Sequence, residues 1–318
     1  MNAMSQPTCL VADIGGTNTR MAISDGLTLR DDSITRFKNA DHATFYDIID
    51  LYLSQMGLTQ VDRAAVAVAG PVSGGRAEMT NLDWVFEDTK IAAKTGAAHV
   101  GLLNDLQAQG HSLHLLRSDD IQTLMQGNHQ ARPTDPQIVI GMGTGFNAAP
   151  VYHTNSGTHV PPAEIGHARI AVAGAVQARV VDAIAQTEGF VSNEHILAGR
   201  GLERIDAALN NRQDRSAADI MAAASAGDAT AIAVAETQAQ FAGSVYGDMA
   251  LATLPLGGIY LIGGVARALS PYLSQAVFAE AFCDKGRFAE FNKQFSVHVI
   301  LDDFAALRGC ASFVTSLA

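Results

Sequence analysis

Three separate apolar runs in this 318-residue chain break into glycine turns, and that recurrence limits the fold more than any other feature. Thr8 to Asp13 runs into Gly15-Gly16-Thr17-Asn18, Ile138 to Ile140 into Gly141-Met142-Gly143-Thr144-Gly145, and Ile259 to Ile262 into Gly263-Gly264. A short apolar run closed by glycine reads as a buried strand whose end turns sharply or lets something approach its backbone. Helical patterns separate these runs, so strands and helices alternate. Alternation predicts α/β sheets whose ligands gather at the carboxyl ends of the strands. The length suits two domains, pictured as two halves around a cleft.

The remaining elements follow from local signals. Arg20 to Ser24 reads as a strand returning from the first turn. Asp41 is placed to cap a helix with Phe45, Ile48, Ile49 and Tyr52 on one face, ended by Gly57. Ala64 to Ala69 is short and apolar enough for a strand buried on both faces. Asp88 to Lys94 reads as a helix closed by Gly96, and Val100 to Leu103 as a strand that delivers Asn104 and Asp105 at its end. Leu106 to Leu116 reads as helical. Asp120 to Gln137, polar and holding Gly127, Pro133 and Pro136, is the best candidate for an interdomain crossing. Ala-rich helices fill Ala175 to Leu254, Ser270 to Phe282 reads as a further helix, Val297 to Leu301 as a last strand and Ala305 onward as a last helix.

Charge and cysteine usage narrow the partners. The net charge of −11 repels nucleic acid and anionic membrane surfaces, so a small molecule is the expected partner. Cys9, Cys283 and Cys310 lie far apart with no C-x-x-C pair, which suggests neither a disulfide framework nor a zinc knuckle and fits a reducing, cytoplasmic setting. The N-terminus does not read as a secretory signal, and a first strand beginning at Thr8 is not expected to leave room for a DNA-binding helix-turn-helix. The apolar stretch Met249 to Ala266 contains Pro255 and Gly257-Gly258, so a helix end, a turn and a buried strand are expected rather than a membrane span.

The polar residues at the strand ends suggest chemistry. The first turn matches neither a P-loop nor a dinucleotide fingerprint. Gly15 and Gly16 let backbone N–H groups approach a phosphate, Thr17 and Asn18 add side-chain donors, and Asp13 can hold Mg2+ through water. A plain hairpin turn uses the same residues. Gly143 and Thr144 offer a second cradle of this kind. Asp105 is either a helix N-cap or a general base that accepts a hydroxyl proton, with Asn104 orienting the same substrate. Glu164 and His167, three residues apart, with Glu194 at a helix start, suit recognition of a hydroxylated ligand better than a metal. A surface pair between Glu164 and His167 remains open on spacing alone. Asp284-Lys285-Gly286-Arg287-Phe288 reads as a solvated charged loop or an anion site.

The assembled pattern resembles bacterial glucokinases. Asp13-Ile-Gly-Gly-Thr-Asn-x-Arg20, Ala69-Gly-Pro71 with Thr80-Asn81 and Trp84, Asn104-Asp105, Gly141-x-Gly-Thr-Gly145, Glu164-x-x-His167, Val191-Ser-x-Glu194, Gly263-Gly264 and Asp284-Lys-Gly-Arg-Phe288 occur in that family's order over nearly the whole chain. The resemblance implies a two-domain actin-like ATPase (ribonuclease H-like) fold with a sugar/ATP cleft between the domains. The small domain would take residues 1-116 plus 304-318 and the large domain residues 117-303. It implies ATP-dependent phosphorylation of glucose at the 6-hydroxyl, with another hexose or amino sugar, or a sugar-binding protein of weakened catalysis, as alternatives. Asp105 would be the base. Asn81, Asn104, Glu164, His167 and Glu194 would hold the sugar, with Gly70 near the same pocket. Asp13, Gly15, Gly16, Thr17, Asn18, Gly143, Thr144, Gly263 and Gly264 would surround ATP and Mg2+. A homodimer is expected.

Two stretches depart from the family pattern. Phe146-Asn147-Ala148-Ala149-Pro150 stands where a second glycine usually falls near position 147, and Asp303-Phe304-Ala305-Ala306-Leu307 replaces the usual Asp-Asn-Pro-Gly-Leu. Asn147 and Phe304 are the first places to expect altered preference.

Overall fold

A computed structural model describes residues 6–79 and 82–317, and the chain divides into two compact units. One contains the chain up to Leu116, Asn155–Pro162 and the chain from Asp302 onward, and the other contains Arg117–Thr154 and Ala163–Leu301.

In the first unit the strands are β1 (Thr8–Ile14), β2 (Asn18–Asp25), β3 (Thr28–Leu29) and β4 (Thr35–Lys38). Helix α1 (Phe45–Met56) then leads to β5 (Arg63–Val68), a small sheet of β6 (Val72–Ser73), β7 (Arg76–Glu78) and β8 (Val85–Glu87), helix α2 (Asp88–Thr95), β9 (His99–Asn104) and α3 (Asp105–Ser112). The main sheet runs β3-β2-β1-β5-β9, with β4 also on β2. Its central strands are apolar because both faces are covered. Leu10, Ala12, Ile14, Ala64, Val66 and Val68 pack with α1, while the alternate residues Cys9, Val11, Ala65 and Ala67 face the C-terminal helix.

Helix α1 starts one turn later than Asp41 suggests. Thr44 is the N-cap, its hydroxyl accepting from the Asp47 N–H in a reciprocal capping box, and Asp41 lies in a preceding 3-10 turn. Two cap-forming residues three positions apart make the sequence ambiguous. The residue immediately before the first buried position, Phe45, takes the role.

The second unit adds β10 (Ile121–Met125), β11 (Gln137–Met142) and β12 (Phe146–Thr154). After β13 (Gly157–His159), which belongs to the first unit, it continues through α4 (Ala175–Glu188), α5 (Asn193–Leu197), α6 (Gly199–Asn210), α7 (Ala217–Ser225), α8 (Ala229–Thr253), β14 (Ile259–Ile262), α9 (Gly264–Leu273), α10 (Ala276–Cys283), α11 (Ala289–Asn292) and β15 (Val297–Ile300). Helix α12 (Ala305–Ser316) returns to the first unit. The second sheet runs β10-β15-β14-β11-β12. Each main sheet repeats one plan: an antiparallel hairpin, β1–β2 or β11–β12, whose first strand is followed across the sheet by two parallel strands, β5 and β9 or β14 and β15.

Two expectations are corrected here. Asp120 to Gln137 is not a bare crossing, because Ile121–Met125 is an edge strand paired antiparallel with β15. Only Leu124 of that strand is buried, so no alternation betrays it, and its partner lies far along the chain. The helix placed at Ser270 to Phe282 begins at Gly264 and breaks at Ser274, giving α9 and α10. Pro271 sits inside α9. The stretch Met249 to Ala266 does divide into the end of α8, a turn, β14 and the start of α9. Among the described residues no single helix is long and apolar enough to cross a membrane.

Helix α3 carries a pH-sensitive contact. His111 is 6% exposed and packs edge-on against Phe313, and burial, with His114 and His159 nearby, holds its pKa down at about 4. The fold therefore keeps His111 neutral while the unfolded chain takes up a proton at about pH 6.5. Stability is fully present above that pH and is lost as pH falls toward 4, by about 3 kcal/mol in all. Urea unfolding of His111→Gln should show a shallower decline over this window than the wild type. Parallel profiles would remove His111 as the cause.

Candidate active site

Register puts the first glycine turn and the Asn104-Asp105 pair at one sheet edge. Ile14 pairs with Val68 and Val68 with Asn104 along parallel strands, so the carboxyl ends of β1, β5 and β9 are level. This is the edge where open α/β sheets receive ligands.

The turn after β1 is closed by the Gly15 N–H donating to the Asn18 carbonyl at 3.0 Å, which leaves Gly16 and Thr17 exposed. The buried Asn39 fastens it from beneath. Its Nδ2 donates to the Gly15 carbonyl at 2.8 Å, its Oδ1 accepts from Thr19 Oγ1 at 2.8 Å, and its N–H donates to the Thr17 carbonyl at 3.0 Å. Nothing in the sequence singles out Asn39, because its role depends on β4 pairing with β2. Asp13 lies opposite Arg20 in the hairpin, with Arg20 Nη1 3.7 Å from Asp13 Oδ2 and 2.9 Å from the Asp303 carbonyl. Burial pushes the Asp13 carboxyl above its usual range, and Arg20 pulls the other way.

Asn104, not Asp105, is the N-cap of α3. Its Oδ1 accepts from the Leu106 N–H at 2.9 Å, the Gln107 side chain accepts from its backbone N–H at 3.1 Å, and its Nδ2 donates to the Gly70 carbonyl at 3.2 Å. Asp105, half-buried, is the first helical residue and also accepts from the Leu106 N–H, at 2.8 Å. Asn81 lies outside the described residues, as does Thr80.

In the second unit two glycine turns touch. A methyl group on Gly263, whose φ is +111°, would fall 2.1 Å from the Met142 carbonyl oxygen, so only glycine lets the two strand ends come this close. The Gly143 N–H donates to the Gly145 carbonyl and the Gly199 N–H to the Gly143 carbonyl, both at 2.9 Å, while Thr144 and Gly145 stay exposed. Two carboxylates meet the residues that follow. Glu194 Oε2 accepts from the Phe146 N–H at 3.0 Å, and Glu164 Oε2 from Asn147 Nδ2 at 3.2 Å. Ser192 caps the short helix that holds Glu194, and His167, exposed, ends a 3-10 turn beginning at Ile165. Glu164 thus takes Asn147 as its partner instead of His167. Asp284, Gly286, Arg287 and Phe288 are exposed, as a solvated charged loop requires, but Lys285 turns inward to Asp248 Oδ1 at 2.7 Å and the Ser244 carbonyl at 2.9 Å.

Among the described residues no three His, Cys, Asp or Glu side chains cluster to hold a metal ion. The lone Asp13 carboxylate beside an exposed turn fits a cation that keeps its own waters and takes further oxygens from a phosphate substrate, as Mg2+ does.

A duplicated hairpin-plus-parallel-strand sheet, with glycine turns and a carboxylate at the strand ends, defines a phosphotransferase of the actin-like ATPase fold. Residues 10–317 match the family model described as Glucokinase. The chain belongs to the glucokinase family. It is 33% identical over 316 residues to a glucokinase of Caulobacter vibrioides (strain NA1000 / CB15N), covering 96% of this chain and 95% of that protein. The crystal structure of a glucokinase from an Antarctic psychrotroph superposes with a TM-score of 0.86 at 29% identity, covering 97% of this chain and 98% of that one. A ROK family glucokinase from Streptomyces griseus, solved with glucose and AMPPNP, shares the fold at 20% identity, with a TM-score of 0.61 and coverage of 96% of this chain and 99% of that one.

Proposed function

We propose that this chain transfers the γ-phosphoryl group of ATP to the 6-hydroxyl of glucose, with Asp105 as the general base. The observation that carries the reading is the half-buried Asp105 at the start of α3, on the same sheet edge as the glycine turn beside Asp13, in a chain of the glucokinase family.

Phosphoryl transfer asks the protein mainly for positioning and charge neutralisation. Asp105 accepts the 6-hydroxyl proton as the oxygen attacks. The exposed Gly16 and Thr144 offer backbone N–H groups to the phosphates of ATP, and Gly15, Thr17, Asn18, Gly143 and the Gly263-Gly264 turn complete the surround. Asp13 would hold Mg2+ through water, and the ion when bound would supply charge neutralisation to the phosphates. Asn104 spends its Oδ1 on the helix cap and one Nδ2 hydrogen on Gly70, which leaves the second Nδ2 hydrogen for a sugar hydroxyl. Asn81, Glu164, His167 and Glu194 take the other hydroxyls. The reading extends to a glycolytic, cytoplasmic homodimer, which light scattering on the purified protein tests for the dimer.

A coupled ADP-release assay with Mg-ATP against glucose, fructose, mannose, N-acetylglucosamine, N-acetylmannosamine and no sugar tests the reaction. Release with glucose is expected, and release with none of the sugars would overturn it. Glu164→Ala is expected to raise the glucose KM by about tenfold or more, the worth of a hydrogen bond to a charged group, while kcat changes little. An unchanged KM would remove Glu164 from the sugar contacts.

A further inference from the structure

We infer that Asn147 is a positioning residue that sets sugar affinity by holding the Glu164 carboxylate, an inference that rests on the role proposed for Glu164 above. Asn147 is the second residue of β12, and its side chain reaches the segment 163–166. Nδ2 donates to the Ala163 carbonyl at 2.6 Å and to Glu164 Oε2 at 3.2 Å, while Oδ1 accepts from the N–H groups of Ala148 at 2.9 Å and Gly166 at 3.3 Å.

These four bonds define the amide. Two backbone donors claim Oδ1, so Nδ2 must be the group facing the carbonyl and the carboxylate, and both of its hydrogens are used. The segment lies close against β12: a methyl group on Gly166 would fall 1.9 Å from the Phe146 carbonyl oxygen.

Glu164 itself is exposed and has three rotatable side-chain bonds. Left alone, such a side chain must be ordered when the sugar binds, and that ordering subtracts from affinity. A neutral amide donor fixes one carboxylate oxygen without cancelling the charge, and leaves Oε1 to accept from a hydroxyl. Glycine at this position offers no such donor. The effect belongs to binding rather than to the transfer step, because Glu164 holds a hydroxyl other than the one that reacts.

The test is a double-mutant cycle read as glucose KM and kcat by ADP release, with wild type, Asn147→Ala, Glu164→Ala and the double variant, and Asn147→Gly as a second variant in case Asn147→Ala fails to fold. Asn147→Ala is expected to raise the glucose KM by about tenfold with kcat within about twofold, and to add little in the Glu164→Ala background. Asn147→Asp should show a glucose KM that falls as the pH is lowered from 7 to 5, because protonation relieves the repulsion between two facing carboxylates, whereas a merely structural role would not produce that profile. Additive effects, or a pH-flat Asn147→Asp, would overturn the inference and leave the functional reading standing. A wild type inactive on glucose would overturn both.

Discussion

Asp105→Ala is expected to lower kcat for glucose phosphorylation by about three orders of magnitude, the middle of the range for removing a general base, while glucose still binds. The variant should fold, because the Leu106 N–H that Asp105 accepts is also accepted by Asn104 Oδ1, so the start of α3 keeps its cap. ADP release gives kcat, and titration calorimetry gives the glucose affinity. Turnover near the wild-type level would mean that another group takes the 6-hydroxyl proton, and a complete loss of glucose binding would make Asp105 a binding group first.

Gly309→Ala is expected to have the largest effect of any single methyl added to the first unit. Gly309 lies on α12 where that helix crosses α3, and a Cβ there would fall 1.7 Å from the Ala108 carbonyl oxygen and 3.1 Å from the Ser112 nitrogen. These are backbone atoms of a helix, so the two helices must separate. Overpacking of this kind costs about 3 kcal/mol, a fall in Tm of roughly 6–12 °C. The same separation moves the helix that begins at Asp105, and small misplacements of a catalytic group are costly, so the folded fraction should also lose about tenfold in kcat. A melting curve and a kcat both indistinguishable from wild type would show that α12 can shift without disturbing α3.

The site was unevenly legible. Asp13, Gly15, Asn104, Asp105 and Gly143 could be placed at strand ends because a short apolar run followed by glycine or Asn-Asp is a local signal. Thr44 and Asp41 are both cap formers, and only burial of Phe45 distinguishes them. Strand β10 was missed because it is an edge strand with one buried residue, whose pairing with β15 spans most of the second unit. Asn39 carries no pattern of its own, since it matters through hydrogen bonds to Gly15, Thr17 and Thr19, and Asn147 stands out in the sequence only as a departure from glycine, its hold on residues 163–166 being invisible there.

The alternation of strands and helices, the burial of β1, β5, β11 and β14, and the identities of the polar residues at their ends were determined by the sequence itself, because periodicity, glycine and capping residues act over a few positions. Partnership was decided only by the tertiary structure. Asn104 rather than Asp105 caps α3 because the backbone at Asn104 is extended and that at Asp105 is helical. Glu164 is held by Asn147 rather than paired with His167, and Glu194 is held by the Phe146 N–H, because β12 runs beside both turns. Hydrogen bonds and close approaches of this kind are set by which backbones pack together, and that depends on the whole chain at once.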